Sequence, residues 1–199
     1  MEEVAAGPNL RRVVRRVATL NLGYFGVEFA VALAIGSVSL FADSIDFLED
    51  ASVNLLILLG LGWSLRQRAR LGMALALILL VPGLATLWTA WEKFMAPVPP
   101  APLALTLAGA GAMLVNAGCA LMLARFRAQG GSLTRAAFLS ARNDVLANVA
   151  IILAGLVTAH LWASAWPDLI VGLGIAAMNA DAAREVWEAA REEHRSAAG

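Results

Sequence analysis

One cysteine among 199 residues leaves no partner for an intrachain disulfide, and Cys119 is expected to serve packing. Charge is equally scarce at 15% of residues, against 60% hydrophobic, which is membrane composition rather than that of a water-soluble domain. Neither histidine falls in a ligating pattern: His160 is expected at a membrane interface and His194 in a solvated tail. No basic run is long enough to suggest a nucleic-acid partner. The opening MEEVAAGPNLRRVVRR lacks a short apolar core ending at a small-residue cleavage site, so no cleavable signal is expected.

What is present is a series of apolar runs of about 20 residues, the length needed to cross a bilayer as a helix. Six spans are predicted, near Val17 to Gly36, Leu40 to Trp63, Leu71 to Trp91, Leu103 to Ala124, Ala137 to Ala159 and Pro167 to Ala183. The fold class is therefore an all-α polytopic membrane protein, a bundle of six transmembrane helices. Residues 1–16 are expected as a cytoplasmic segment, 17–183 as the membrane domain and 184–199 as a cytoplasmic tail, an amphipathic continuation of the sixth span beyond Asn179 and Asp181. No room remains for another domain.

Net charge is zero, yet the signs are segregated. Every basic residue except Lys93 falls before span one, between spans two and three, between or at the edges of spans four and five, or after span six. The positive-inside rule then puts both termini in the cytoplasm. Trp88, Trp91, Trp162 and Trp166 fall at the outer interface and Trp63 at the inner one. The run from Pro97 to Pro102 reads as a stiff outer connection, Pro82 and Gly83 as a kink in span three, and Gly109, Gly111, Gly118, Gly155, Gly172 and Gly174 as points of close helix packing.

Span two carries Asp43, Asp46, Glu49 and Asp50. A carboxylate at the bilayer centre costs about 2.5 to 3.5 kcal/mol on insertion scales, so such residues mark a functional site by default. Ser39, Asp43, Asp46, Asp50 and Asn54 recur every three or four residues and form one polar stripe, with Glu49 at its margin. If span two enters near Leu40, Asp46 and Asp50 lie about 9 and 15 Å deep at 1.5 Å per residue. Span five rises from the opposite face with Ser140, Asn143, Asp144 and Asn148 on a polar face of its own, and Asp144 reaches a depth comparable to that of Asp50. A shared site of Asp46, Asp50 and Asp144, with Ser140 or Asn143 contributing, would offer only oxygen ligands. These suit manganese or iron(II), while carboxylates also take zinc, cobalt or cadmium. Crowded, desolvated carboxyl groups compete for ionisation, so metal entry would displace protons. The metal is thus expected as a substrate, with no permanently bound cofactor.

Around that site Glu28 and Asn21, seven apart on one face of span one, are candidates for a supporting or proton-relay pair. Asp43 is either an electrostatic attractor at the outer mouth or an exposed cap near the helix start. Glu49 either tunes the site or faces a neighbouring helix, and Asn148 and Asn116 suit helix-to-helix hydrogen bonds. Arg142, two residues from Asp144, points away from it.

ADSIDFLED in span two resembles the Asp/His-x-x-x-Asp motif of the cation diffusion facilitator family, and SARNDVLANVAIILAGL resembles its second motif. NLGYFGVE, MLVNAGCALML and PDLIVGLGIA are further similarities, so the resemblance runs over nearly the whole chain. It implies a bundle of cation-efflux type, with Asp46, Asp50 and Asp144 as metal ligands and Ser140 at a position that usually holds His or Asp. It also implies proton-coupled efflux, a bacterial inner-membrane location and a homodimer held through membrane helices, since the cytoplasmic domain of many relatives is not expected here. The partners are then the lipid bilayer, divalent cations and protons. A membrane metal-binding subunit or sensor that does not transport remains an alternative. An intramembrane aspartyl protease lacks the Gly-x-Gly-Asp and Tyr-Asp contexts it needs.

Overall fold

The computed structural model describes residues 8–60, 84–126 and 131–196. Among the described residues there are helices and no strands: α1 (Pro8–Ile35), α2 (Val38–Gly60), α3 (84–95), α4 (Pro102–Ala124), α5 (Gly131–His160) and α6 (Trp166–Ser196). The all-α expectation therefore holds. By length and composition, Asn9–Ile35, Pro102–Ala124 and Ser140–His160 are long and apolar enough to cross a membrane. The acids of α2 keep that helix off the same footing. The C-terminal end of the expected third span is helical in α3, while Pro82, Gly83 and Trp63 lie outside the described residues.

Three helices are longer than the apolar runs. α1 begins at Pro8 rather than near Val17, because the arginine-rich segment is itself amphipathic. Leu10, Val13, Val14 and Val17 recur at helical spacing and pack with Cys119 and Leu123 of α4 and Ala137 and Ala141 of α5, leaving Arg11, Arg12, Arg15 and Arg16 exposed. α5 likewise starts at Gly131, ahead of Ala137. α6 runs on past the apolar core of its span as one helix, as its amphipathic sequence suggested.

Chain reversals are short. Gly36, with φ 61°, turns α1 into α2, a left-handed backbone that glycine adopts without steric cost. Between α3 and α4 the chain is non-helical through Ala101, whose φ of −63° and ψ of 111° are close to polyproline II, and Pro102 opens α4 where a missing N–H costs nothing. α1 packs on α2 and α4, α4 on α5, and α2 on both α5 and α6. A Cβ on Gly155 would come within 2.3 Å of Thr106 Oγ1, and one on Gly172 within 2.8 Å of the Ser39 backbone nitrogen, so both helices approach by virtue of glycine. Gly109 and Gly111 also face close neighbours, Ile151 and Tyr24. Gly118 and Gly174 do not: among the described residues nothing stands within 4 Å of a Cβ there.

The bundle is apolar outside and polar within. Leu103 and Leu121 are 72% and 76% exposed, while Asn21, Glu28, Asp43 and Asn148 are wholly buried. Water would penalise that arrangement and lipid favours it, since hydrocarbon solvates the leucines and the bundle must satisfy its own polar groups.

At one end a single carboxylate gathers the helix ends. Asp168, in the first turn of α6, accepts hydrogen bonds from Ser37 Oγ (2.6 Å), Ser39 Oγ (2.6 Å) and the backbone N–H groups of Val38 (2.9 Å) and Ser39 (3.2 Å). It thereby caps α2 in trans, a fitting place for negative charge at a helix N-terminus. Lys93 of α3 donates to the carbonyl of Gly36 and stands 4.0 Å from Asp168 Oδ2. Burial holds the Lys93 ammonium below the ordinary lysine range, an effect that Asp168 opposes. This clamp fixes α2 lengthwise and so sets the depth of its acids.

Candidate metal centre

Below the clamp the stripe on α2 divides by partner. Ser39 belongs to Asp168. Asp43 is wholly buried and accepts from Asn148 Nδ2 of α5 at 2.6 Å, which rules out an exposed cap: α5 covers that face of α2. Asp46 and Asp50 turn toward a cleft, and Asn54 donates to the Asp50 backbone carbonyl at 2.8 Å within the helix.

The cleft has a volume of about 130 Å³ and is lined by Asp46, Glu49 and Asp50 of α2, Ser140, Asn143 and Asp144 of α5, and Met178 and Asn179 of α6. Residues 46 and 50, and 140 and 144, stand one helical turn apart on helices that face each other, so both i, i+4 pairs present to the same space. Ser140 Oγ donates to Asp50 Oδ1 at 2.9 Å, joining α5 to α2 at the floor of the cleft. Asn21 Nδ2 of α1 donates to Asp50 Oδ2 at 3.3 Å, and Cys119 Sγ of α4 lies 3.5 Å from Asn21 Oδ1. Asp50 is thus held by a neighbour on each side and backed by a third helix. Asn143 is exposed, and its Oδ1 accepts from Arg142 at 3.4 Å, so that arginine engages Asn143 rather than Asp144. Among the described residues, Asp46 and Asp144 have no hydrogen-bond donor, and no three acidic, imidazole or thiol groups converge closely enough to hold an ion as they stand.

The structure places Asp46, Asp50 and Asp144, whose depths were matched by helical rise, on one cavity with Ser140, Asn143 and Glu49. The pairing of Glu28 with Asn21 needs correction. Asn21 serves Asp50, whereas Glu28, two turns along α1, faces Asp43, because seven residues advance a helix by about 10 Å. Asn116 and Asn148 bond each other at 3.1 Å, α4 to α5, as suited their type. α6 was overlooked as a wall of the site. Asn179, whose Nδ2 donates to the Ala42 carbonyl at 3.4 Å, was legible only as a polar residue ending an apolar run.

A model of the cation efflux transmembrane domain matches residues 14–192, nearly the entire chain. The chain belongs to the cation efflux family. Among curated proteins no match is found. This cation efflux protein is accordingly a helical membrane protein of a family of metal cation transporters, which act by transport rather than by enzymatic turnover.

Proposed function

We propose that this protein exports a divalent metal cation from the cytoplasm in exchange for protons, with Asp46, Asp50 and Asp144 as ligands and Ser140 as a neutral fourth. The observation that carries the reading is the cleft itself, where four carboxylates from two facing helices line one space, and Asp46 and Asp144 lack donors among the described residues. A carboxylate without hydrogen bonds inside a bundle is poorly solvated, and a divalent ion would supply the missing positive charge. An all-oxygen set favours manganese or iron(II) over softer ions without excluding zinc, cobalt or cadmium. Since no three ligands converge as they stand, ion entry draws α2 and α5 together at the cleft. Opening the cleft alternately to either side would complete transport.

The arrangement of arginines supports cytoplasmic termini, and a bacterial inner membrane is the location the reading assigns. The exposed apolar faces of the helices suit both lipid and a homodimer through the membrane domain. Sealed proteoliposomes, with internal pH and metal influx recorded for manganese, iron(II), cobalt, zinc and cadmium, test the function directly. Saturable flux of one ion, coupled to proton movement and lost in Asp50→Ala, is expected. Stoichiometric binding without flux would instead identify a metal-binding subunit or sensor, and flux unchanged in Asp50→Ala would sink the site.

A further inference from the structure

A second acidic centre stands apart from the cleft. Glu28 of α1 and Asp43 of α2 are both wholly buried and lie within hydrogen-bonding reach of each other when one of them carries a proton. Their four oxygens have one donor between them, Asn148 Nδ2 on Asp43 Oδ2, while both Glu28 oxygens and Asp43 Oδ1 have no partner. Neighbouring donors are already committed. Tyr24, one turn before Glu28, gives its hydroxyl proton to the Ala108 carbonyl at 2.7 Å, and the amide of Asn116 goes to Asn148 Oδ1. The titratable groups facing the pair are Tyr24 on α1, Asp46 and Asp50 on α2 and Asp144 on α5, and none of these supplies positive charge.

Two adjacent ionised carboxylates in that setting would each lack solvation and repel the other. A proton between them removes one charge and supplies the missing donor. We propose that Glu28 and Asp43 form a dedicated proton site, holding one proton between two carboxyl groups, and that this is the proton exchanged against the metal. Asn148 fixes the outer oxygen of Asp43 and leaves Oδ1 for the shared proton. The centre shares both helices with the cleft. Asp43 precedes Asp50 by about 10 Å along α2, and Asn148 is one turn beyond Asp144 on α5. Movement of α2 against α5 as the cleft closes on a cation therefore also moves Asp43 against Asn148, and changes how well that carboxylate is held. The coupling half of the proposal rests on the cleft reading above; the proton site does not.

Infrared spectroscopy of the metal-free protein at neutral pH tests the site without reference to transport. A carboxylic-acid C=O band present in wild type should vanish in Glu28→Gln, because the new amide donates to an ionised Asp43, and should vanish equally in Asp43→Asn. Asp50→Asn should leave that band in place. Protonated cleft acids contribute C=O bands of their own, so the test is read from variant-minus-wild-type difference spectra: no lost component in either variant, or two different components lost one to each, overturns the shared proton. Misfolding is distinguished by Glu28→Asp, which retains a carboxyl group and should retain the band. In proteoliposomes, Glu28→Gln is expected to bind metal with wild-type stoichiometry while its flux no longer responds to an imposed pH gradient. Flux that responds as in wild type overturns the coupling role, whereas loss of metal binding in Asp50→Ala bears on the cleft alone.

Discussion

Asp168 and Asp50 are the same side chain at two ends of one helix contact, and they are treated oppositely. Asp168 receives four hydrogen bonds from the start of α2 and lies beside Lys93, so its charge is fully spent inside the protein. Asp50 receives two, from Asn21 and Ser140, and its neighbours Asp46 and Asp144 receive none among the described residues. Buried charge is tolerable only when compensated. A carboxylate with its compensation built in is architecture, and one whose compensation is left open is fit to receive a cation.

The contrast is broken most directly by exchanging the two losses. Asp50→Asn should abolish metal binding, measured by titration calorimetry in detergent, and leave thermal unfolding little changed or raised, since it relieves a crowded charge. Asp168→Asn should act mainly on stability, costing about 3–5 kcal/mol as a buried, paired charge is removed, while molecules that fold with α2 in its native register still bind metal. Loss of metal binding in Asp168→Asn without loss of stability would overturn the division.

Supporting contacts sharpen it. Asn21→Ala removes a donor that orients Asp50 without touching the ion, and a loss of about 10–100-fold in metal affinity is expected in the same titration. Ser140→His offers an imidazole in place of a hydroxyl, and should shift competition between zinc and manganese toward zinc by about tenfold, read by displacement of one metal by the other. The last contrast concerns the clamp's surroundings. Gly172→Ala pushes a methyl group to within 2.8 Å of the Ser39 nitrogen and should cost about 1–3 kcal/mol, whereas Gly174→Ala meets nothing within 4 Å and should be neutral in the same melting experiment.

These two regions were not equally legible in the sequence. The cleft could be anticipated because it depends on quantities the chain states directly: helical period on α2 and α5, and rise per residue from opposite faces of the bilayer. Asp46, Asp50, Ser140 and Asp144 consequently meet as the depths require. The clamp could not, since Asp168 reads as an ordinary acid in the first turn of a helix and its partners are distant in sequence. Asn21 and Glu28 show the same limit at finer scale. Their shared face on α1 was plain, but which acid each one meets depends on the lengthwise register of α1 against α2, and that is set by Gly36, Ser37 and the clamp. Asn179 entered the cleft for a related reason, through the packing of α6 on α2 at Gly172.

The clamp also has a consequence for how the chain is made. The carboxylate that satisfies Ser37 lies 131 residues downstream of it, in α6. At ribosomal speeds of about 5–20 residues per second, the turn between α1 and α2 waits roughly ten seconds for its acceptor. During that interval its serine hydroxyls and free amides must be hydrated, which holds the turn at the aqueous edge of the bilayer until α6 arrives to close the bundle.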